Sequence, residues 1–152
     1  KLCLLNPFNT VVFTQLFINA WSAKILNLLD KDLFIDASIR IREIYLLVFR
    51  NKAFNNLINI YFKHSNELDY FQKLKSFDKA VHLSIKSQYF FQNKNYKDAE
   101  IHSELCIKQV KVLIKESNKE ELFSLVKKSL KNINNAKKAR DILNEFIKHI
   151  RK

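Results

Sequence analysis

Glycine is absent from all 152 residues, and proline occurs once, at Pro7. Glycine lets a backbone turn left-handed or lie flat against a phosphate. A chain without it has no P-loop, no dinucleotide-binding fingerprint, no nucleophile elbow and no standard EF-hand loop. The same lack argues against a sheet protein built on tight hairpins, whose favoured turns need positive φ. Cysteine occurs twice, at Cys3 and Cys106. Two thiols so far apart make no disulfide framework, so an intracellular, reducing compartment is expected, an organelle included. Methionine is missing altogether, and a fragment or a processed chain is therefore expected.

What is present is apolar and basic. Hydrophobic residues make up 47% of the chain, with thirteen Phe and five Tyr, which suits one domain with a core and not a disordered segment. The formal charge is +12, a field that favours nucleic acid, anionic membrane or acidic protein segments. It is uneven: residues 1–75 carry +4 and residues 76–152 carry +8. Residues 2–23 hold no charge, a length that raises a membrane span. Asn6, Asn9, Thr10, Thr14, Gln15 and Asn19 interrupt that run, and so many polar groups make insertion costly. The expectation is a first helix buried inside the protein, with a membrane partner placed behind a protein one.

Apolar residues recur at spacings of three and four, so the expected fold class is all-α, with about six helices in a short solenoid or bundle. The expected helices cover 10–29, 33–49, 52–63, 77–92, 96–115 and one long basic C-terminal helix over 118–150, with a weaker stretch at 67–75. In the first, Val12, Leu16, Ala20, Ala23 and Leu26 form the central stripe; Phe13, Phe17, Trp21, Ile25 and Leu28 widen it. Residues 30–32 and 93–95 are turns, with Asp capping the first and Asn supplying left-handed backbone in the second. Ser117 and Glu120 have capping-box spacing. One domain, 1–152, is expected, with an aromatic-rich part at 10–75 and a basic three-helix unit at 76–150.

Two helix starts match at an offset of 62 residues: Phe34, Asp36, Ala37 and Ile39 parallel Tyr96, Asp98, Ala99 and Ile101. An aromatic ring over the turn, a small alanine at the close approach and an acid in the first turn describe a packed helical hairpin. With Trp21, Leu28, Ile41 and Ile44 in the first unit, Phe54, Leu57 and Tyr61 in a middle one, and Leu83, Ser87, Phe90 and Cys106 in the third, residues 18–113 resemble the tetratricopeptide repeat. The unit starts slip in register, and Glu67 and Tyr70 depart from the pattern. Residues 76–147 also resemble the MIT domain, a three-helix bundle, through 79–83, 94–99 and 136–143. Asn132 and Lys137 depart from that family. The resemblance implies a groove beside the third helix for a short helical segment, with Lys127, Lys131 and Lys138 meeting an acidic partner.

No catalytic constellation stands out, and neither cofactor nor metal is expected. His102 and Cys106, at i and i+4, are half of a metal site without a second half. His64, His82 and His149 read as surface or capping histidines, and Asp36 and Asp98 as helix-start acids. The expected function is a non-catalytic adaptor or scaffold subunit that binds a helical or acidic segment of a protein partner. A rival of another class is a structural ribonucleoprotein component, such as one of an organellar ribosome, with Lys128, Lys137, Arg140, Lys148 and Arg151 on RNA. A membrane-complex subunit is a third.

Overall fold

In a computed structural model, residues 7–44, 54–64, 71–115 and 118–151 are described. Among them the regular structure is entirely helical: α1 (Pro7–Asp30), α2 (Phe34–Glu43), α3 (Phe54–His64), a single 3₁₀ turn (Phe71–Lys73), α4 (Ser76–Gln92), α5 (Tyr96–Leu113), α6 (Lys119–Leu130) and α7 (Ala136–Arg151). The protein is all-α. Helix α1 starts earlier than expected, at Pro7, where fixed φ suits a first helical residue and the missing N–H costs nothing. The end of the expected second helix and much of the 67–75 stretch lie outside the described residues.

Helix α4 is the axis of the fold. It packs on α2, α3, α5 and α6, and Asp78, Ala80 to Ile85 and Ser87 are all buried on it. Helix α1, expected inside, packs on α2 and α3; among its described side chains Trp21, Ile25, Leu26, Leu28 and Leu29 belong to or border the core. Leu16, Phe17, Ala20 and Ala23 are exposed. Trp21, Ile25 and Leu28 of the widening set thus reach the core together with Leu26 of the central stripe, and the side chains of Val12 and Phe13 lie outside the described ones.

The expected long C-terminal helix is two helices. Residues 131–135 hold three asparagines, whose side chains compete for backbone partners. Asn132 and Ile133 donate back only three residues, to Ser129 and Leu130, which tightens and ends α6. Asn135 then opens α7, its Oδ1 accepting from Lys138 N at 3.1 Å. The chain turns there, so Ala139, Ile142, Leu143, Phe146 and Ile150 face the core, while Ala136 and Arg140 point to solvent. Phe146 is fully buried and stacks on Phe123, ring centroids 6.4 Å apart. Helix α7 rests on α5 and α6.

The 62-residue offset holds in the turns. Leu33 N donates to Leu28 O and Asn95 N to Phe90 O, each at 2.9 Å; Asp32 N donates to Leu29 O and Lys94 N to Phe91 O, each at 3.0 Å. Both are six-to-one closures of the Schellman kind, in which the residue after the helix takes left-handed backbone. Without glycine, Asp32 (φ 56°) and Lys94 (φ 62°) take it. The expected asparagine does not; Asn95 instead caps α5, and Asp32 is not an N-cap, since Leu33 precedes α2 without a side-chain cap. Ala37 and Ala99 are both fully buried beneath these turns. The rings differ: Phe34 packs partly into the core, whereas Tyr96 lies on the rim, edge-on to Phe91. Helix α6 is capped by Asn118, which accepts from Glu120 N and Glu121 N; Ser117 lies outside the described residues.

Candidate functional site

Three side-chain groups qualify as candidate sites, two interior and one on the surface. The first interior group is a polar seam at the centre of α4, α5 and α6. Three small polar pairs at i and i+3 meet there: Ser84/Ser87 on α4, Ser103/Cys106 on α5, and Ser129 of α6 with Asn132 of the turn that follows it. All six are buried. Ser129 Oγ lies 2.7 Å from Ser84 Oγ, 2.9 Å from Leu125 O and 3.3 Å from Cys106 Sγ. Ser103 donates to Ser129 O at 2.8 Å, Asn132 Nδ2 to Ser87 Oγ at 2.8 Å, and Ser87 onward to Ser84 O at 2.6 Å. The Cys106 thiol donates to Ala80 O at 3.2 Å. Burial pushes that thiol up to about 12, with the hydrogen bonds to Ser129 and Ser84 pulling weakly the other way. It is therefore a neutral thiol at neutral pH. Such a seam lets three helices approach closely with every hydroxyl paired.

The second interior group lies where α2, α3 and α4 meet. Ser38, Tyr61, Asp78 and His82, with Ile41, Phe62, Val81 and Ile85, line a cavity of about 10 Å³, room for one water molecule. Asp78 is buried; Arg42 Nε stands 2.8 Å from its Oδ1. The N–H is not aimed at the oxygen, so the contact is ionic and neither atom gains a hydrogen bond from it. Arg42 also lies over the Phe77 ring. His82, expected at the surface, is buried at 4% exposure. Tyr61, Phe62 and Phe71 surround its ring, with centroids 5.3 to 6.1 Å away. The group holds Ser, His and Asp together around a cavity with room for one water.

On the surface, the lysines nominated from sequence separate. Lys127 is exposed on α6, 4.7 Å above the Phe123 ring. Lys128 is half-buried on α6, and Lys131 is exposed at its C-terminal cap. Lys137, Arg140, Lys148 and Arg151 are exposed on α7, and helical periodicity puts all four on one outward face. None of these four, nor Lys127 or Lys131, pairs with a carboxylate among the described residues. Lys138 is different. It turns to α5, 2.6 Å from Glu100 Oε1 and 3.2 Å from Glu104 Oε1, and these carboxylates, Glu100 first, hold its ammonium above the usual lysine range. Lys111 reaches Glu145 on α7 at 3.3 Å. So Lys138 clamps α7 to α5.

His102 does not offer a ligand pair with Cys106: its Nδ1 is 2.7 Å from Asp98 O and its ring packs on Phe90. Among the described residues no three His, Cys, Asp or Glu gather as a metal site, and no helix is long and apolar enough to cross a membrane. Sequence reasoning missed both interior groups. The repeated i, i+3 pairs of small polar residues were the available signal for the seam. No family model, no curated protein and no solved structure matches the chain.

Proposed function

We propose that this chain is a non-catalytic adaptor or scaffold subunit whose surface takes up an acidic, helical segment of a partner protein. One observation carries the reading: cations without a carboxylate partner among the described residues share the surface with large apolar side chains. Leu16, Phe17, Leu33, Ile101, Leu105 and Val112 are all exposed. Apolar groups beside charge suit a protein interface, whose centre is apolar and whose rim is polar. The interior seam supports the non-catalytic part, since its hydroxyls and thiol serve one another. The tetratricopeptide and MIT resemblances motivate the reading from sequence; closure by matched turns is common to many helical hairpins.

A second reading, RNA contact, is favoured by the outward face of α7. There Lys137, Arg140, Lys148 and Arg151 stand exposed with no large apolar side chain among them, as a phosphate track requires. Fluorescence anisotropy separates the two. A labelled acidic helical peptide and a single-stranded RNA 20-mer are titrated with the full chain at low and high salt. Adaptor function is expected to give peptide binding that survives in part at high salt, because burial of apolar surface is not screened. Lys131→Glu should weaken it. RNA binding that collapses with salt and with Lys137→Glu/Lys148→Glu, in the absence of peptide binding, overturns the adaptor reading. Lys138→Glu is the wrong probe, since it breaks the clamp to α5.

A further inference from the structure

We infer that the outer face of α5 is the docking face, and that its partner is an acidic amphipathic helix. This rests on the adaptor reading above. Ile101, Leu105 and Val112 are 41%, 43% and 69% exposed. Their spacing, i, i+4 and i+11, lines them along one side of the helix, and with Lys108 at i+7 the stripe has the alternating three- and four-residue steps of a helix–helix seam. It runs about 16 Å, three turns. A buried helix face on the opposite side, through Ala99, Ser103, Cys106, Ile107, Val110 and Leu113, already holds α5 in the fold. The outer stripe therefore serves nothing inside the described residues.

Charge selects the occupant. Lys97, Lys108 and Lys115 lie on or beside the stripe, all exposed, and none pairs with a carboxylate among the described residues. The glutamates nearest the stripe, Glu100 and Glu104, are already held by Lys138. What the face presents is thus apolar side chains and ammonium groups that no described carboxylate holds. A second copy of this chain would set Lys108 against Lys108, with +12 on each molecule, so self-pairing is opposed. A helix with leucine-type residues at the same spacing and glutamates alongside them complements both features.

The test uses the full chain and a labelled 21-residue peptide with Leu at its a and d positions and Glu beside them, against an isomer of equal composition in scrambled order. The amphipathic peptide is expected to bind at least tenfold tighter than the scrambled one. Leu105→Ser should weaken it about tenfold, as should Lys108→Glu, with unchanged helix content and thermal melting, because both side chains are exposed. Undiminished binding by Leu105→Ser and Ile101→Ser/Val112→Ser overturns the α5 assignment and leaves the adaptor reading standing. Failure of the wild-type chain to bind either peptide overturns the adaptor reading itself. Capture by phosphatidylserine vesicles without peptide binding, or a dimer that Leu105→Ser dissolves, assigns the face to another occupant and also overturns the proposal.

Discussion

If the seam fixes how α4 and α6 meet, Ser84 and Ser129 must act as one unit. Their hydroxyls are 2.7 Å apart and both residues are fully buried. Ser129 has one proton and three acceptors in reach, at Ser84 Oγ, Leu125 O and Cys106 Sγ. Removing the Ser129 hydroxyl takes from the buried Ser84 hydroxyl its 2.7 Å partner and leaves it only the Cys106 thiol, a weak one. Desolvating an unpaired hydroxyl costs about 1–3 kcal/mol, lowered where Ser84 can turn to its own helix. Ser129→Ala should therefore destabilise by about 1–2 kcal/mol, and Ser84→Ala by a similar amount. The double variant removes both polar groups and should cost little more than either single change, a coupling of about 1 kcal/mol. Ser103 bonds to the Ser129 backbone, not its side chain, so it is untouched. Urea titration followed by helical circular dichroism reads this. With an m-value of about 1.5 kcal/mol/M, each single change shifts the midpoint by about 1 M. The reasoning fails if Ser129→Ala moves the midpoint by less than about 0.2 M, or if the two losses simply add.

Two further expectations follow from the backbone and from the thiol. Lys94 holds left-handed backbone at φ 62°, which costs an L-residue about 1 kcal/mol relative to glycine; Lys94→Gly should raise stability by about 0.5 kcal/mol after the added unfolded-state freedom, and a lowered melting temperature would contradict this. Cys106 is raised from 9.0 unfolded to about 12 folded, so the native state keeps its proton where the unfolded state loses it. The thiol's contribution is whole below about pH 9 and is lost as pH rises toward 12; relative to Cys106→Ala, the native protein should lose stability over that window. Thiol labelling of a Cys3→Ser chain should stay slow at pH 9 until urea unfolds it.

How much of this was legible follows element by element. The all-α class was plain, because the apolar spacing is helical and the lack of glycine argues against a protein built on tight hairpins. Most helix boundaries from α3 through α5 were legible for the same reason. Helix α1 was misplaced because apolarity on several sides does not say which side has neighbours; that depends on α2 and α3 arriving at Trp21 and Ile25. The break at residues 131–135 was overlooked because Ile133 kept the apolar line unbroken in projection, although three asparagines marked the turn. His82 looked like a surface residue because its cage comes from α3 and the 3₁₀ turn, both distant in sequence. The partners of the lysines were not legible: Lys138 and Lys137 are neighbours in sequence, yet Lys138 reaches Glu100 and Glu104 on α5 while Lys137 stands exposed.

That clamp also governs the charge on α5. Glu100 and Glu104 flank the exposed Ile101–Leu105–Val112 stripe and Lys138 occupies both, while Asp98, one turn before Ile101, is engaged by Asn95. With their charge engaged, Lys97, Lys108 and Lys115 dominate the field over the stripe. Lys138→Ala frees the two glutamates without altering any residue of the proposed docking face. An acidic peptide should then bind several-fold more weakly, and added salt should narrow the gap, since the repulsion acts through solvent. Stability should change little, because Lys138 and Glu104 are both exposed and such pairs contribute small amounts. If α7 instead detaches, helical circular dichroism and the urea midpoint fall together with binding, and the effect belongs to the fold. Unchanged affinity for the peptide at low salt, with α7 in place, would mean that the field over α5 does not select the partner.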